Sequence, residues 1–230
     1  MANHTVCVYD GVGVCKCLGS VCFHKCLEMD NAKILEPYLP PGTALMMAKW
    51  IDYFQVELSI NKPRESVFGD YRHPHGGKGH RISVNRNLNP YAFLITLIHE
   101  FAHLTNWNKH ANRVKPHGEE WKNEYRNLMQ PFLDRRIFPE EIERAVRKYI
   151  TNPAASSCTD VHLLKVLKRF DQHQHTVFVS NVPAGAMFRL RNGRTFQKLE
   201  LVRKRYRCKE ISSGDIYLFS PVMEDRKSVV

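Results

Sequence analysis

Between the breaker-rich Pro37-Tyr38-Leu39-Pro40-Pro41-Gly42 and Gln55, the chain runs from Ala44 to Phe54 without interruption. This spacing predicts a helix, with Thr43 as its cap and its methionine and aromatic positions in the core. Val56 to Ile60, Ser66 to Arg72 and Arg81 to Val84 carry β-branched or aromatic residues between turn signals and read as three strands. Asn89-Pro90 then opens a second helix, proline being tolerated in the first turn. Phe93, Leu94, Leu97, Ile98, Phe101 and Leu104 make that helix apolar over much of its circumference, so it belongs inside the protein. The order helix, strands, buried helix predicts an α+β domain with a mixed sheet packed against helices.

Further along, Pro139 to Tyr149 has the charge-rich pattern of an exposed amphipathic helix. Thr151 to Ser157 reads as a linker, and Asp160 to Phe170 as another short helix. From Thr176 onward, short apolar runs alternate with Gly185, Gly193 and Gly214, the rhythm of a small antiparallel β module. The division expected is a cysteine-rich extension over 1–28, a main domain over 29–150, and a linker helix with a basic β module over 151–230.

The buried helix carries His99-Glu100-Phe101-Ala102-His103. Residues i and i+4 lie one above the other on a helix, so two imidazoles can reach one metal ion while Glu100 stands beside it. A catalytic zinc ordinarily takes three protein ligands, and His110, His117, Glu119, Glu120 and Glu124 are the candidates for the third. His117 is preferred, because Pro116 and Gly118 mark a chain reversal that returns the next segment to the helix. Glu120 and Glu124 then fall behind the ligands. Tyr71, Arg72, Tyr125 and Arg126 are candidates for stabilising an oxyanion, none of them singled out. Three histidines in the glycine-rich run His73 to His80 suggest a mobile loop at a cleft edge more than a second metal site.

Phe68-Gly69-Asp70-Tyr71-Arg72, Ile82-Ser83-Val84-Asn85, the histidine motif and His117-Gly118-Glu119-Glu120-Trp121 together resemble the SprT-like metalloprotease domain, the family that includes Spartan, over about residues 43–135. The resemblance implies a zincin-like metallopeptidase fold, Zn2+ held by His99, His103 and His117, and Glu100 as catalytic base. It also implies peptide hydrolysis directed at proteins crosslinked to DNA.

Composition adds constraints on partners. A hydrophobic fraction of 43% is that of a globular protein, and no run approaches the roughly 18 apolar residues of a membrane span. Without the pattern of a secretory signal, the expected location is cytoplasmic. The net charge of +11 suits a polyanionic partner. Arg203, Arg205 and Arg207 would share one face of a strand as a phosphate-binding stripe, so DNA, single-stranded above all, is an expected partner alongside a protein substrate. Five of the seven cysteines crowd the first 26 residues without a paired C-x-x-C knuckle. They read as an extension with reduced thiols, or as upstream of a true start at Met29, more readily than as a second metal site with His24 as an added ligand. Cys158 and Cys208 alone cannot build a zinc ribbon. Two other readings stay open: a DNA-binding or adaptor protein with a structural or inactive zinc, and a zinc hydrolase acting on something other than protein. Oligomeric state is not encoded in these patterns.

Overall fold

The computed structural model describes residues 8–9, 30–64, 67–153, 160–171, 176–190 and 192–226. The expectations for Cys7, Cys15, Cys17, Cys22, Cys26, His24 and Cys158 lie outside these residues. The chain forms two compact units, 1–167 and 168–230.

The first unit contains strand β1 (Val8–Tyr9), helix α1 (residues 30–35), α2 (Ala44–Tyr53), β2 (Val56–Asn61), β3 (Gly69–Arg72), β4 (His80–Asn85), α3 (Pro90–His110), α4 (Glu119–Asp134), α5 (Glu140–Thr151) and α6 (Val161–Lys168). The sheet order is β1-β2-β4-β3, with β1, β2 and β4 parallel and β3 antiparallel to β4, a mixed sheet in an α+β unit. Val56, Leu58 and Ile60 of β2 and Ile82 and Val84 of β4 are buried on one face, as a strand periodicity of two dictates. Helix α3 packs on β3 and β4 and against α4, and every residue from Ala92 to Ala102 is buried, which explains its near-continuous apolar sequence. Trp50 of α2 stands edge-on to Phe101 and Phe132, at 5.5 and 5.7 Å between ring centroids, joining three helices in one core.

Three local expectations change. Thr43 stands at the N-cap of α2, but its side chain makes no capping bond; the hydroxyl donates to Pro40 O at 2.7 Å, tying down the preceding turn instead. The second strand is confined to Gly69–Arg72, and Ser66 lies outside the described residues. Val8–Tyr9, placed by the sequence in an unstructured extension, pair in parallel with Leu58 and Ser59 as an edge strand.

Asn89 explains a fourth difference. Its side-chain oxygen accepts from Ala92 N at 3.0 Å, capping α3, while its amide donates to Leu167 O at 2.8 Å. With Leu163, Leu164, Val166 and Leu167 buried, α6 belongs to the first unit, and the division falls at residue 167/168 rather than near 151. Asp160 caps α6 by accepting from Leu163 N at 2.7 Å. Among the described residues no helix is long and apolar enough to cross a membrane.

The second unit is an antiparallel sheet of β5 (Thr176–Phe178), β6 (Met187–Arg189), β7 (Thr195–Val202), β8 (Arg205–Glu210), β9 (Ile216–Phe219) and β10 (Glu224–Arg226), in the order β5-β10-β6-β7-β8-β9. Its core gathers Val179, Val182, Phe188, Phe196, Cys208 and Phe219. The Cys208 thiol sits in that core and burial pushes it up to about 11, so it serves as an apolar packing group. Buried Lys198 is satisfied by Ser180 O and Val182 O, at 3.2 and 2.6 Å, and lies 4.0 Å from the centre of the Tyr206 ring.

Candidate metal centre

His99 and His103 occupy successive turns on one side of α3, and their Nε2 atoms are 3.3 Å apart. The third imidazole arrives by a reversal. Ala111 takes a left-handed conformation (φ 50°) and ends α3, Gly118 N donates to Lys115 O at 3.0 Å, and α4 starts at Glu119. Lys109 Nζ reaches Glu124 Oε1 at 2.6 Å and ties the end of α3 to α4. His117 is thereby returned to the helix, and His99, His103 and His117 can each offer a ligand atom with all of these atoms within 4.8 Å of one another.

This group fits a metal ion. Two imidazole nitrogens at about 2.0–2.1 Å from one tetrahedral zinc would stand about 3.3–3.4 Å apart, which is the separation of the two Nε2 atoms, whereas an N–H···N hydrogen bond at 3.3 Å would be long. His117 Nε2 is buried without a hydrogen-bond partner, as a nitrogen reserved for an ion would be. Burial lowers the pKa of all three histidines: His103 falls to about 3, with His117 as a second cause, and His99 goes well below the ordinary value, with His103 and His117 adding to the effect. All three are therefore neutral at pH 7 and competent as ligands. The Trp121 indole lies 4.6, 5.2 and 4.8 Å from the rings of His99, His103 and His117 and forms an apolar wall against them, which the sequence did not single out.

Of the other proposed ligands, Glu124 is engaged by Lys109, Glu119 by Lys122 at 2.7 Å, and Glu120 is exposed. His110 closes α3 outside the group. Tyr125 is fully buried and stacked on Trp121 at 5.4 Å; Arg126 is bound to Ile150 O and Thr151 O; Arg72 pairs with Asp70 at 2.9 Å. Tyr71 is different. Its ring lies parallel to that of His103 at 6.4 Å, and its hydroxyl is 2.9 Å from His80 Nδ1. His73 stacks on Trp107 at 5.5 Å, and His80 begins β4, so the histidine-rich run is anchored at both ends.

Glu100 is only 6% exposed. Burial, reinforced by Asp70 and opposed by Arg64, raises its carboxyl to about 8. Strand β3 passes directly against it at a glycine: a methyl group on Gly69 would lie 2.7 Å from Glu100 Oε1 and 2.7 Å from Thr96 Cγ2. Only a residue without Cβ allows this approach. Gly69→Ala is expected to destabilise the first unit by about 1–3 kcal/mol, as overpacking does. Urea unfolding measures this, and an unchanged midpoint would show that β3 can move away freely.

The basic residues of the second unit do not form the anticipated strand stripe. Arg203 lies in the turn between β7 and β8 with φ 56°, because the strands end at Val202 and resume at Arg205. Arg207 donates to Glu200 Oε1 at 2.7 Å. Arg205 and Arg207 do share the face opposite Tyr206, whose ring lies over Lys198 on the core side.

Comparison of the chain with curated proteins and with solved structures finds no match. Residues 46–144, from within α2 into α5, match the model of the SprT-like family and include the three histidines, Glu100 and Gly69. Over that stretch the chain is similar to the SprT-like family, in agreement with the resemblance carried by its motifs.

Proposed function

We propose that this protein is a zinc-dependent endopeptidase. The observation that carries the reading is the convergence of His99, His103 and His117 beside the buried carboxyl of Glu100. Three imidazoles leave one position of a tetrahedral ion open, the arrangement of catalytic rather than structural zinc. A zinc ion held there supplies Lewis acidity, polarising a carbonyl and making water acidic near neutral pH. With the charge of that ion beside it favouring the ionised form, Glu100 would accept the proton of the attacking water on its carboxylate and return it to the leaving amine. Gly69 keeps β3 close to that carboxylate, and β3 is an edge strand beside α3, able to take an extended polypeptide by strand addition. Tyr71, bordering His103, is the best placed of the four candidates for contact with a developing oxyanion.

The test is hydrolysis of an unfolded protein by metal-loaded and chelated enzyme, compared with a protein crosslinked to single-stranded DNA. Zinc-dependent cleavage is expected in both cases, with the crosslinked protein preferred. Full activity in chelator, or none with zinc, would exclude the reading. The alternative is a DNA-binding or adaptor protein with an inactive zinc site; it would retain metal and DNA binding and hydrolyse neither substrate.

A DNA partner is supported by the exposed Arg203, Lys204, Arg205 and Lys209 of the second unit. Ile216 and Leu218, not aromatic rings, stand exposed beside Lys209 and Arg207, so contact with the phosphate backbone is expected and base stacking on this face is not. Affinity for single-stranded DNA should fall steeply with salt. Exchanging Arg203, Arg205 and Arg207 for Glu should flatten that dependence by roughly 0.7 for each phosphate no longer neutralised. Because Arg207 is already engaged by Glu200, its single exchange should weaken binding least. Binding titrations at two salt concentrations measure this, and unchanged affinity in the triple variant removes these residues from the interface.

A further inference from the structure

We propose that the face of the first sheet turned away from α3 binds a phosphate-type oxyanion. Strand alternation puts Ile82 and Tyr71 on the α3 side, and places Glu57 and Ser59 of β2, Arg81 and Ser83 of β4, and Asp70 and Arg72 of β3 on the other. With Asn61 and Arg64 these side chains line a cavity of about 210 Å³, separated by the sheet from the histidine group.

Two features make this cavity a site for an anion. Arg64 Nη2 and Arg81 Nε are buried and have no hydrogen-bond partner. Buried polar groups are nearly always paired, and two guanidiniums lining one concavity, each with a buried N–H that lacks a partner, call for an acceptor. The second feature is preorganisation. Arg64 Nε donates to Asn85 Oδ1 at 2.9 Å, and Asn85 Nδ2 donates in turn to Arg64 O and Val67 O at 3.0 and 2.9 Å, so this guanidinium is held in place before any ligand arrives.

The charge balance favours an anion over a cation. Three guanidiniums face two carboxylates, and Asp70 is already paired with Arg72 at 2.9 Å, while Glu57 is exposed and sits opposite Arg81 in the strand register. The hydroxyls of Ser59 and Ser83, opposite one another in register, add donors between the arginines. Donors spread over two strands and a loop suit a tetrahedral acceptor with several oxygens, a phosphate or phosphomonoester. The proposal is independent of the peptidase reading.

Titration of the full-length protein with inorganic phosphate at constant ionic strength, followed by calorimetry and thermal shift, tests it. Saturable binding at one site is expected, weakened at least fivefold by Arg81→Gln and by Arg64→Gln, and unaffected by Arg144→Gln on α5. If Arg64→Gln compromises folding through its link to Asn85, Arg81→Gln and Ser83→Ala carry the comparison. Absence of saturable binding, or equal affinity in a folded Arg81→Gln protein, overturns the proposal. Displacement of phosphate by an oligonucleotide bearing a 5′-phosphate, but not by its unphosphorylated counterpart, identifies a strand end as the source. Displacement by neither identifies a free phosphate.

Discussion

Glu100→Gln should leave the fold and the metal content intact and lower peptide hydrolysis on the order of a hundredfold or more, the usual consequence of removing a general base. The amide keeps the shape of the carboxyl, so the contact with Gly69 and Thr96 survives while the capacity to hold a proton disappears. The exchange also removes a buried ionisable group whose carboxyl is raised to about 8. A group whose pKa is higher folded than unfolded contributes stability fully below the unfolded value, near 4.5, and loses it as the pH rises through 8. The variant should therefore be as stable as the parent or more so at pH 9, which separates a catalytic loss from an unfolding one. Turnover, metal analysis and a urea titration of the same preparation give the three readings. Equal turnover in parent and variant would remove Glu100 from the mechanism.

The second large effect is expected at His117. His117→Ala should weaken zinc binding on the order of a hundredfold or more, because two imidazoles on α3 remain but the donor returned by the reversal at Gly118 is gone. A zinc ion bound there would stabilise the folded parent by about 2.7 kcal/mol at a free concentration of about 100 times its Kd, so the metal-induced rise in Tm should largely vanish in the variant. Undiminished affinity there, with loss on changing Glu120 instead, would assign the third donor to a carboxylate. The metal-free parent gives a related pH test. His99, His103 and His117 have folded values below their ordinary 6.5, so their contribution to stability is present above pH 6.5 and is lost as the pH falls through the folded values, for His103 about 3. Chelated protein should thus have a lower urea midpoint at pH 5 than at pH 7.5.

Much of the main unit is determined locally. Asn89-Pro90 followed by a largely apolar run without a breaker marks the start of a buried helix, and i/i+4 spacing on that helix puts His99 and His103 on one side whatever surrounds them. The Pro116-Gly118 reversal made His117 the preferred third imidazole, and the structure brings it to the other two. In the second unit, short strands punctuated by glycines are readable as antiparallel hairpins because turn residues and strand alternation act over a few positions.

What required the tertiary structure was every relation between distant segments. That Gly69 is a contact with Glu100, and not simply a turn residue, depends on β3 pairing at the sheet edge and α3 crossing over it. Lys109 and Glu124, Tyr71 and His103, and Asn89 and Leu167 meet only once helices and strands have packed, and sequence periodicity carries no information about such meetings. The same holds for the arginines: spacing put Arg203 on a strand with Arg205 and Arg207, but the β7–β8 pairing placed it in the turn and gave Arg207 a carboxylate partner. Periodicity fixes the face a residue takes within its element; partner, register and element boundary are set by cooperative packing between elements, and these decide which charges remain free to meet a ligand.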